Sequence, residues 1–355
     1  MKVIDFFSGC GGVSEGLRQA GFDITIGLDF DKKAAETYQA NFPEAQFYNV
    51  DIRKLDEIEL AKTFKQKNIN NDPLILVACA PCQPFSKQNK AKSEDDIRRT
   101  LLDETHRFIK VLDPDYIFVE NVPGLQKIDK DKDGPYKRFV EFLSTQGYKF
   151  VEFIAQAEEY GVPQRRKRFV LLASKLAEIQ IPPKTHGEGL LPIATVRDYI
   201  SEFPVIKAGD INPEDIWHRS PSLNDLNLER IRHTPEGGDR RDWPDHLINE
   251  CHKTHSGHMD TYGRMSWNLP APTLTTKCHS YSNGRFGHPD IKQDRAISMR
   301  EASRLQTFPK NFIFKGSIAE VSRQIGNAVP CEMAKQFGLS ILKHFEEVKN
   351  NNGKD

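Results

Sequence analysis

The chain lacks most of what would place it outside a reducing, aqueous compartment. Its 355 residues include six cysteines (Cys10, Cys79, Cys82, Cys251, Cys278, Cys331), too few and too scattered for a disulfide scaffold. No apolar run approaches the length needed to cross a membrane, and Met1 leads within a few residues into core-like sequence, which leaves no room for a signal peptide. Internal repeats and low-complexity tracts are missing. So is an excess of either charge: Lys+Arg and Asp+Glu stand at 50 each. That balance neither announces nor excludes a nucleic-acid partner, because a neutral chain can still carry one basic face. The expectation is a cytoplasmic globular protein, long enough for one large core and a smaller one.

What is present in the first half is an alternation of short apolar strands and helical patterns. Strand signals stand at Lys2–Phe7, Phe22–Phe30, Gln46–Val50, Leu74–Ala78, Tyr116–Val119 and Arg168–Ala173. Helical patterns lie between several of them: Val13–Ala20 stopped by Gly21, a helix capped by Asp31 and running to about Asn41, Arg98–Leu112 and Tyr136–Gln146. This rhythm predicts an α/β fold with a doubly wound, mostly parallel sheet. From about Lys175 to Gln293 the rhythm gives way to Pro, Gly, Asn and His with short apolar runs and all three tryptophans, which reads as a smaller, loop-rich domain. Helical periodicity returns at Met299–Gln306 and Cys331–Phe345, and the polar tail after Glu347 reads as frayed. The expected division is 1–178 with 321–355, and 179–320.

Two places carry chemistry. The turn Asp5-Phe6-Phe7-Ser8-Gly9-Cys10-Gly11-Gly12 joins the first strand to the first helix, with Asp29 twenty residues after Gly9 at the end of the second strand. Glycines admit a ligand to the backbone, and an acid at that strand end can accept from ribose hydroxyls. Asp51, after the third strand, is placed to reach the exocyclic amine of a base. The spacing departs from the dinucleotide pattern, so an adenosine-type ligand fits better; the glycines alone would also suit a plain tight turn. The second place is Ala80-Pro81-Cys82-Gln83-Pro84-Phe85-Ser86, directly after the strand Leu74–Ala78. Flanking prolines fix the backbone around the thiol at the face where parallel sheets bind ligands, a platform a buried structural cysteine does not need. Cys82 reads as a nucleophile. Cys79 and Cys82 formally make a CxxC redox spacing, but Gln83-Pro84 disfavours the helix that such a site opens.

These residues, followed in order by Glu120-Asn121-Val122, Gln164-Arg165-Arg166-Lys167-Arg168, the run Arg300 to Pro309 and Gly326-Asn327-Ala328-Val329-Pro330, resemble the DNA (cytosine-5)-methyltransferases, and most closely the stand-alone bacterial modification enzymes. The resemblance implies a fold that binds S-adenosylmethionine, a target-recognition domain in 179–320, and transfer of a methyl group to carbon 5 of a cytosine flipped out of duplex DNA. It implies catalytic roles for Cys82 as nucleophile, Glu120 as the acid at ring nitrogen 3, and Arg166, with Arg168, at the pyrimidine oxygen and phosphate. Cofactor contacts are implied at Phe7, Gly9, Gly11, Gly12, Asp29, Phe30, Asp51, Ile52, Pro81 and Asn327. It also implies a restriction-modification setting with a partner endonuclease, and action as a monomer on DNA. A tRNA-methylating relative or a catalytically dead DNA-binding relative are the alternatives; the missing Cys-Phe-Thr element speaks against the first and intact Cys82, Glu120 and Arg166 against the second.

Taken singly, several of these residues have plainer readings: Glu120 as a satisfied strand-end acid, Arg165–Arg168 as a solvated patch. Alternation into Phe169-Val170-Leu171 puts Arg166 and Arg168 on one face. DNA contacts are expected at Gln83 and Ser86, at Thr273 and Leu274 of Pro272-Thr273-Leu274-Thr275-Thr276, and at Arg240, Arg241, Arg264 and Arg285, since arginine pairs with the major-groove edge of guanine. Phosphate or solvent is the plainer fate of any one arginine. Cys251-His252-Lys253-Thr254-His255-Ser256-Gly257-His258 suggests zinc, but no second cysteine pair stands at structural-site spacing, and no metal is expected.

Overall fold

The computed structural model describes residues 1–81, 100–125, 134–250 and 260–352. The chain divides into two compact units. The first comprises Met1–Gln156, Lys167–Lys184 and Cys331–Asp355, and the second Ala157–Arg166 and Thr185–Pro330.

The first unit is built on β1 (Lys2–Phe6), α1 (Gly12–Gln19), β2 (Asp23–Leu28), α2 (Lys32–Asn41), β3 (Gln46–Tyr48), α3 (Glu57–Lys67), β4 (Leu74–Ala78), α4 (Thr105–Leu112), β5 (Tyr116–Asn121), α5 (Pro135–Thr145), β6 (Lys149–Gln156) and β7 (Lys167–Ser174). The seven strands form one sheet in the order β3-β2-β1-β4-β5-β7-β6. The first five run parallel, and β7 runs antiparallel to both β5 and β6. This confirms the doubly wound, mostly parallel sheet. The order reverses between β1 and β4, so the carboxyl ends of those strands, where the Gly9 turn and the Ala80–Pro81 segment begin, flank the position at which such sheets bind ligands.

Near-continuous apolar runs explain the central strands: Leu76, Val77, Ile117, Phe118, Leu171 and Leu172 have no exposed surface, as strands covered on both faces require. Asp31 caps α2 by accepting from Lys33 N and Ala34 N, and Gly21 ends the α1 turn at φ 97°. The C-terminal helix Cys331–Asn352 covers one face, with Phe337 edge-on to Phe118 at 5.9 Å between ring centroids. It approaches α1 so closely that a Cβ on Gly16 would lie 2.2 Å from the Cys331 carbonyl oxygen.

The second unit is largely loop, with short helices at Asp225–Arg232, Met299–Leu305 and Ile318–Asn327. One of its cores gathers Ile231, Trp243, Leu247, Tyr281 and Ala296. A fully buried ion pair, Arg295 to Glu301 at 2.8 Å, ties the segment before the Met299 helix to that helix. No described helix is long and apolar enough to cross a membrane.

Candidate active site

In the first unit the turn after β1 leaves the ordinary backbone regions at once. Phe7 takes φ 58°, Gly9 φ 54° and Gly11 φ 96°; a non-glycine residue in the left-handed region is costly and marks a functional loop. Gly9 N donates to Asp29 Oδ2 at 2.8 Å, and the other oxygen of Asp29 accepts from Asp31 N at 2.8 Å. The carboxylate therefore fixes the turn against the end of β2, and burial pushes its pKa up. Phe30, beside it, is 70% exposed, an aromatic ring left uncovered next to an acid. Asp51 caps the turn Ile52–Lys54 and pairs with Arg53, whose hydrogen bonds hold its pKa down; Ile52 is buried. A Cβ on Gly11 would fall 2.5 Å from the ring of Phe42, which explains the glycine there sterically. Gly12 opens α1.

One residue that sequence reasoning left without a role sits beneath this turn. Asp5, at 1% exposure, accepts from Ser14 Oγ at 2.7 Å through Oδ2, and that hydroxyl lies 2.8 Å from the Tyr38 hydroxyl. Its Oδ1 is buried with no hydrogen-bond partner among the described residues. Burial, opposed by Ser14 and reinforced by Asp29, pushes its pKa up to about 7. A buried acceptor with an open position beside a glycine turn suits a ligand that brings a donor or positive charge.

Across the switch point, β4 ends at Ala78 and β5 carries Glu120 and Asn121 as its last residues. Asn121 Nδ2 donates to the Ala80 carbonyl at 3.0 Å, which fixes the backbone two residues before Cys82. Glu120 is 8% exposed and forms an ion pair with Arg168 on β7, Nε to Oε1 at 2.7 Å. The antiparallel register, Glu120 opposite Val170, brings the two side chains together. Cys79 is half-buried near Glu120, and desolvation, with the Glu120 charge adding to it, raises its pKa well above the ordinary thiol value, so it stays a thiol. Pro81 is the last described residue of this segment. Cys82, Gln83 and Ser86 lie outside the described residues, as does the cluster Cys251 to His258. Among the described residues no group of His, Cys, Asp and Glu could hold a metal.

The two arginines expected to share one face have different surroundings. Arg166 belongs to the second unit, is 1% exposed, and donates to the carbonyls of Leu274, Gly326 and Ala328 at 3.0 to 3.1 Å. Those bonds correct the expected role: the guanidinium pins backbone, and Arg168 is the one that meets the acid. The reason is that β7 begins at Lys167, so strand alternation does not extend back to Arg166. Around it, motif segments far apart in sequence close on one another. Gln164 Oε1 accepts from Leu274 N at 3.0 Å, its Nε2 donates to Leu305 O at 3.2 Å, and Gln306 Nε2 donates to Ile325 O at 2.6 Å. A Cβ on Gly326 would lie 2.3 Å from the Thr275 carbonyl.

Other expected DNA contacts sort by burial. Leu274 is fully buried, so its side chain is core rather than interface; exposed Thr273 donates to the Arg165 carbonyl at 2.6 Å. Arg264 has no exposed surface and donates to the carbonyls of Ile231, Thr234, His288, Asp290 and Gln293; a guanidinium so enclosed is a loop anchor, which corrects its expected role as a reader. Arg240 is buried, with Nη1 on Thr261 Oγ1 at 2.8 Å. Arg285 is 18% exposed and bonds the carbonyls of Gly237 and Gly238. Arg241 is 67% exposed. Asn327 is exposed at the end of its helix.

Comparison with known proteins places this geometry. The family model described as C-5 cytosine-specific DNA methylase matches residues 1–343. The chain is 41% identical over 350 residues to Type II methylase M.HgiDII of Herpetosiphon aurantiacus, covering 97% of this chain and 96% of that one. It is 33% identical to Type II methyltransferase M1.BsuMI of Bacillus subtilis, covering 97% and 81%. Among solved structures, a prophage-encoded protein of E. coli described as a DNA modification methyltransferase superposes with TM-score 0.73 at 24% identity, covering 97% of this chain and 99% of that one. The Entamoeba histolytica methyltransferase EhMeth superposes with TM-score 0.64 at 17% identity, covering 97% and 98%. With the strand-end acid, its arginine and the glycine turn in the expected order along the sheet, the chain belongs to the C-5 cytosine-specific DNA methylases.

Proposed function

We propose that this DNA (cytosine-5)-methyltransferase uses S-adenosylmethionine as methyl donor and acts on one cytosine of a specific duplex sequence through a covalent bond from Cys82. Supporting the donor is the fit of the β1 turn: an exposed aromatic at Phe30, a half-buried acid at Asp29, and Oδ1 of Asp5 with no hydrogen-bond partner among the described residues. Bound there, the donor would supply an electrophilic methyl group; Phe7, Gly9, Gly11, Gly12, Asp29, Phe30, Asp51, Ile52 and Pro81 would hold it.

Carbon 5 of cytosine is too electron-poor to attack a methyl group unaided. A thiolate from Cys82 adding to carbon 6 breaks the ring's conjugation and makes carbon 5 nucleophilic. Glu120 holds a proton at ring nitrogen 3 as charge moves onto the ring, and Arg168, paired with that acid, engages the pyrimidine oxygen. Carbon 5 would take the methyl group as its bond to the donor's sulfur breaks and the donor leaves as the neutral thioether; loss of the carbon-5 proton to solvent then breaks the bond to Cys82 Sγ, releases the thiolate and restores aromaticity. Because the ring must be reached from its face, the base has to leave the stack. The single observation that carries this reading is the buried Glu120–Arg168 pair at the end of β5, beside the bond by which Asn121 grips Ala80. Residues 1–178 with 321–355 carry the chemistry in this reading, and 179–320 choose the site. The Type II names of the relatives support a restriction-modification setting; in this reading the chain is a protective methylase working beside an endonuclease, as a monomer on DNA in the bacterial cytoplasm.

The test is a mechanism-based trap. Bisulfite sequencing of DNA from expressing cells identifies the methylated site, and a duplex with 5-fluorocytosine at that position is then incubated with protein and S-adenosylmethionine. A covalent adduct through Cys82, absent in Cys82→Ser, is expected; no adduct with the unaltered protein rejects the mechanism.

A further inference from the structure

The loop Pro235 to Trp243 of the second unit holds a side-chain arrangement that the reaction chemistry does not use. Asp239 is 1% exposed, and its carboxylate takes both edges of a clamp on Arg241: Nε to Oδ1 at 2.8 Å and Nη2 to Oδ2 at 2.6 Å. From behind, Arg285 Nη2 reaches the same Oδ2 at 3.0 Å, and Arg285 Nη1 holds the carbonyls of Gly237 and Gly238. Burial pushes the Asp239 pKa up, but the bonds from Arg241 and Arg285 outweigh it and hold the acid down at about 2. The backbone is equally constrained. Asp239 and Asp242 cap the turn Arg240–Asp242 reciprocally, Gly237 takes φ 70°, and a Cβ on Gly238 would lie 2.6 Å from Asp242 Oδ2 and from Pro235.

An arginine that only decorates a surface needs no buried acid with a second arginine behind it. Here the guanidinium is fixed in plane by a bidentate bond and yet remains 67% exposed, with Nη1 making none of these bonds. A rigid planar fork with its outer edge presented outward suits the paired N7 and O6 acceptors of guanine. Among the four arginines Arg240, Arg241, Arg264 and Arg285, the other three are turned inward onto protein atoms.

We propose that Arg241 is a specificity-determining residue that reads one guanine of the recognition sequence from the major groove, with Asp239 and Arg285 as the positioning residues that pre-orient it. This rests on the reading of the chain as a sequence-specific DNA methylase. Preorganisation removes the rotamer cost that a free arginine would meet on binding.

Bisulfite sequencing of genomic DNA from cells expressing the unaltered chain, Arg241→Gln and Arg241→Lys tests it, alongside binding of the purified proteins to the cognate duplex and to duplexes changed at each guanine in turn. For Arg241→Gln the proposal expects methylation to spread to sites altered at one guanine position. It also expects discrimination at that position alone to fall by roughly 10- to 100-fold. Arg241→Lys, which keeps the charge and loses the fork, should show the same relaxed position. Loss of affinity that is uniform across sequences, with a salt slope shallower by about one, is the signature of a phosphate contact and overturns the proposal. So does an unchanged methylation pattern. Absence of any methylated cytosine with the unaltered chain would instead remove the enzymatic reading beneath it.

Discussion

Glu120 and Arg168 pair at 2.7 Å with little exposure. Replacing the acid by its neutral isostere should leave the strand intact but remove the group proposed to handle the proton at ring nitrogen 3. Glu120→Gln is expected to slow single-turnover methylation by about 10²- to 10⁴-fold, the usual weight of a general acid, while the protein still binds its duplex. Near-normal turnover would hand the role to another group. Asp5 makes a different prediction. Its carboxyl ionises near 3.8 ordinarily and near 7 in the fold, so between those values the folded state binds more protons than the unfolded one. Stability of the ligand-free protein therefore falls as pH rises from about 4 to about 7, then levels off. Asp5→Asn abolishes that titration, and its melting temperature relative to the unaltered protein should climb between pH 5 and pH 8. A difference that stays constant with pH would mean that Asp5 does not change charge there. Both residues belong to recognisable motifs, but a role for Asp5 becomes visible only when Ser14 is seen to satisfy one of its oxygens and leave the other.

At the scale of elements, what the sequence made legible was whatever depended on local pattern. Apolar β4 reads to the residue, as Leu74–Ala78, and Asp31 and Gly21 punctuate their helices as expected. Two helices with local caps, Glu57–Lys67 after Asp56 and Ile318–Asn327 after Ser317, went unread; the other differences are tertiary. β6 was missed because it lies at the sheet edge with half-exposed, mixed side chains and shows no apolar run. β5 runs on to Asn121 because antiparallel β7 pairs with it that far, and no local signal announces an antiparallel partner. The last helix continues to Asn352 through polar sequence that read as frayed, supported on its exposed side by pairs such as Lys343 with Glu347. Among the sites, motif order located the glycine turn and Glu120, but the burial that makes anchors of Arg166 and Arg264 depends on carbonyls from segments more than twenty residues away. The packing of α1 on the C-terminal helix is testable in the same terms. Alanine at position 16 gains about 1 kcal/mol of helix propensity, yet its Cβ would meet Cys331 O at 2.2 Å and Lys335 N at 2.8 Å, backbone atoms that cannot swing aside. Overpacking of this kind outweighs the gain, so Gly16→Ala should lose about 1–3 kcal/mol in denaturant unfolding. An unchanged midpoint would show that the two helices separate freely.

For the whole molecule the governing fact is a net charge of zero from 50 cationic and 50 anionic side chains. Long-range attraction to DNA cannot come from that total, so binding must rest on where the cations stand. Many basic side chains in this structure are already engaged internally. Arg166, Arg264 and Arg295 are fully buried, and Arg107, Arg138 and Arg300 are paired with acids. These side chains are taken up internally, so phosphate contacts must come from other cations. Each phosphate neutralised releases counterions, and log affinity then falls linearly with log salt at about 0.9 per contact. Six or more such contacts would lower affinity by about 10³-fold or more between 50 and 200 mM salt, and the same slope should appear for cognate and unrelated duplexes, with a constant offset between them from base reading. A flat titration would mean that the neutral chain presents no basic face, and association would then have to be sought in apolar and base contacts alone.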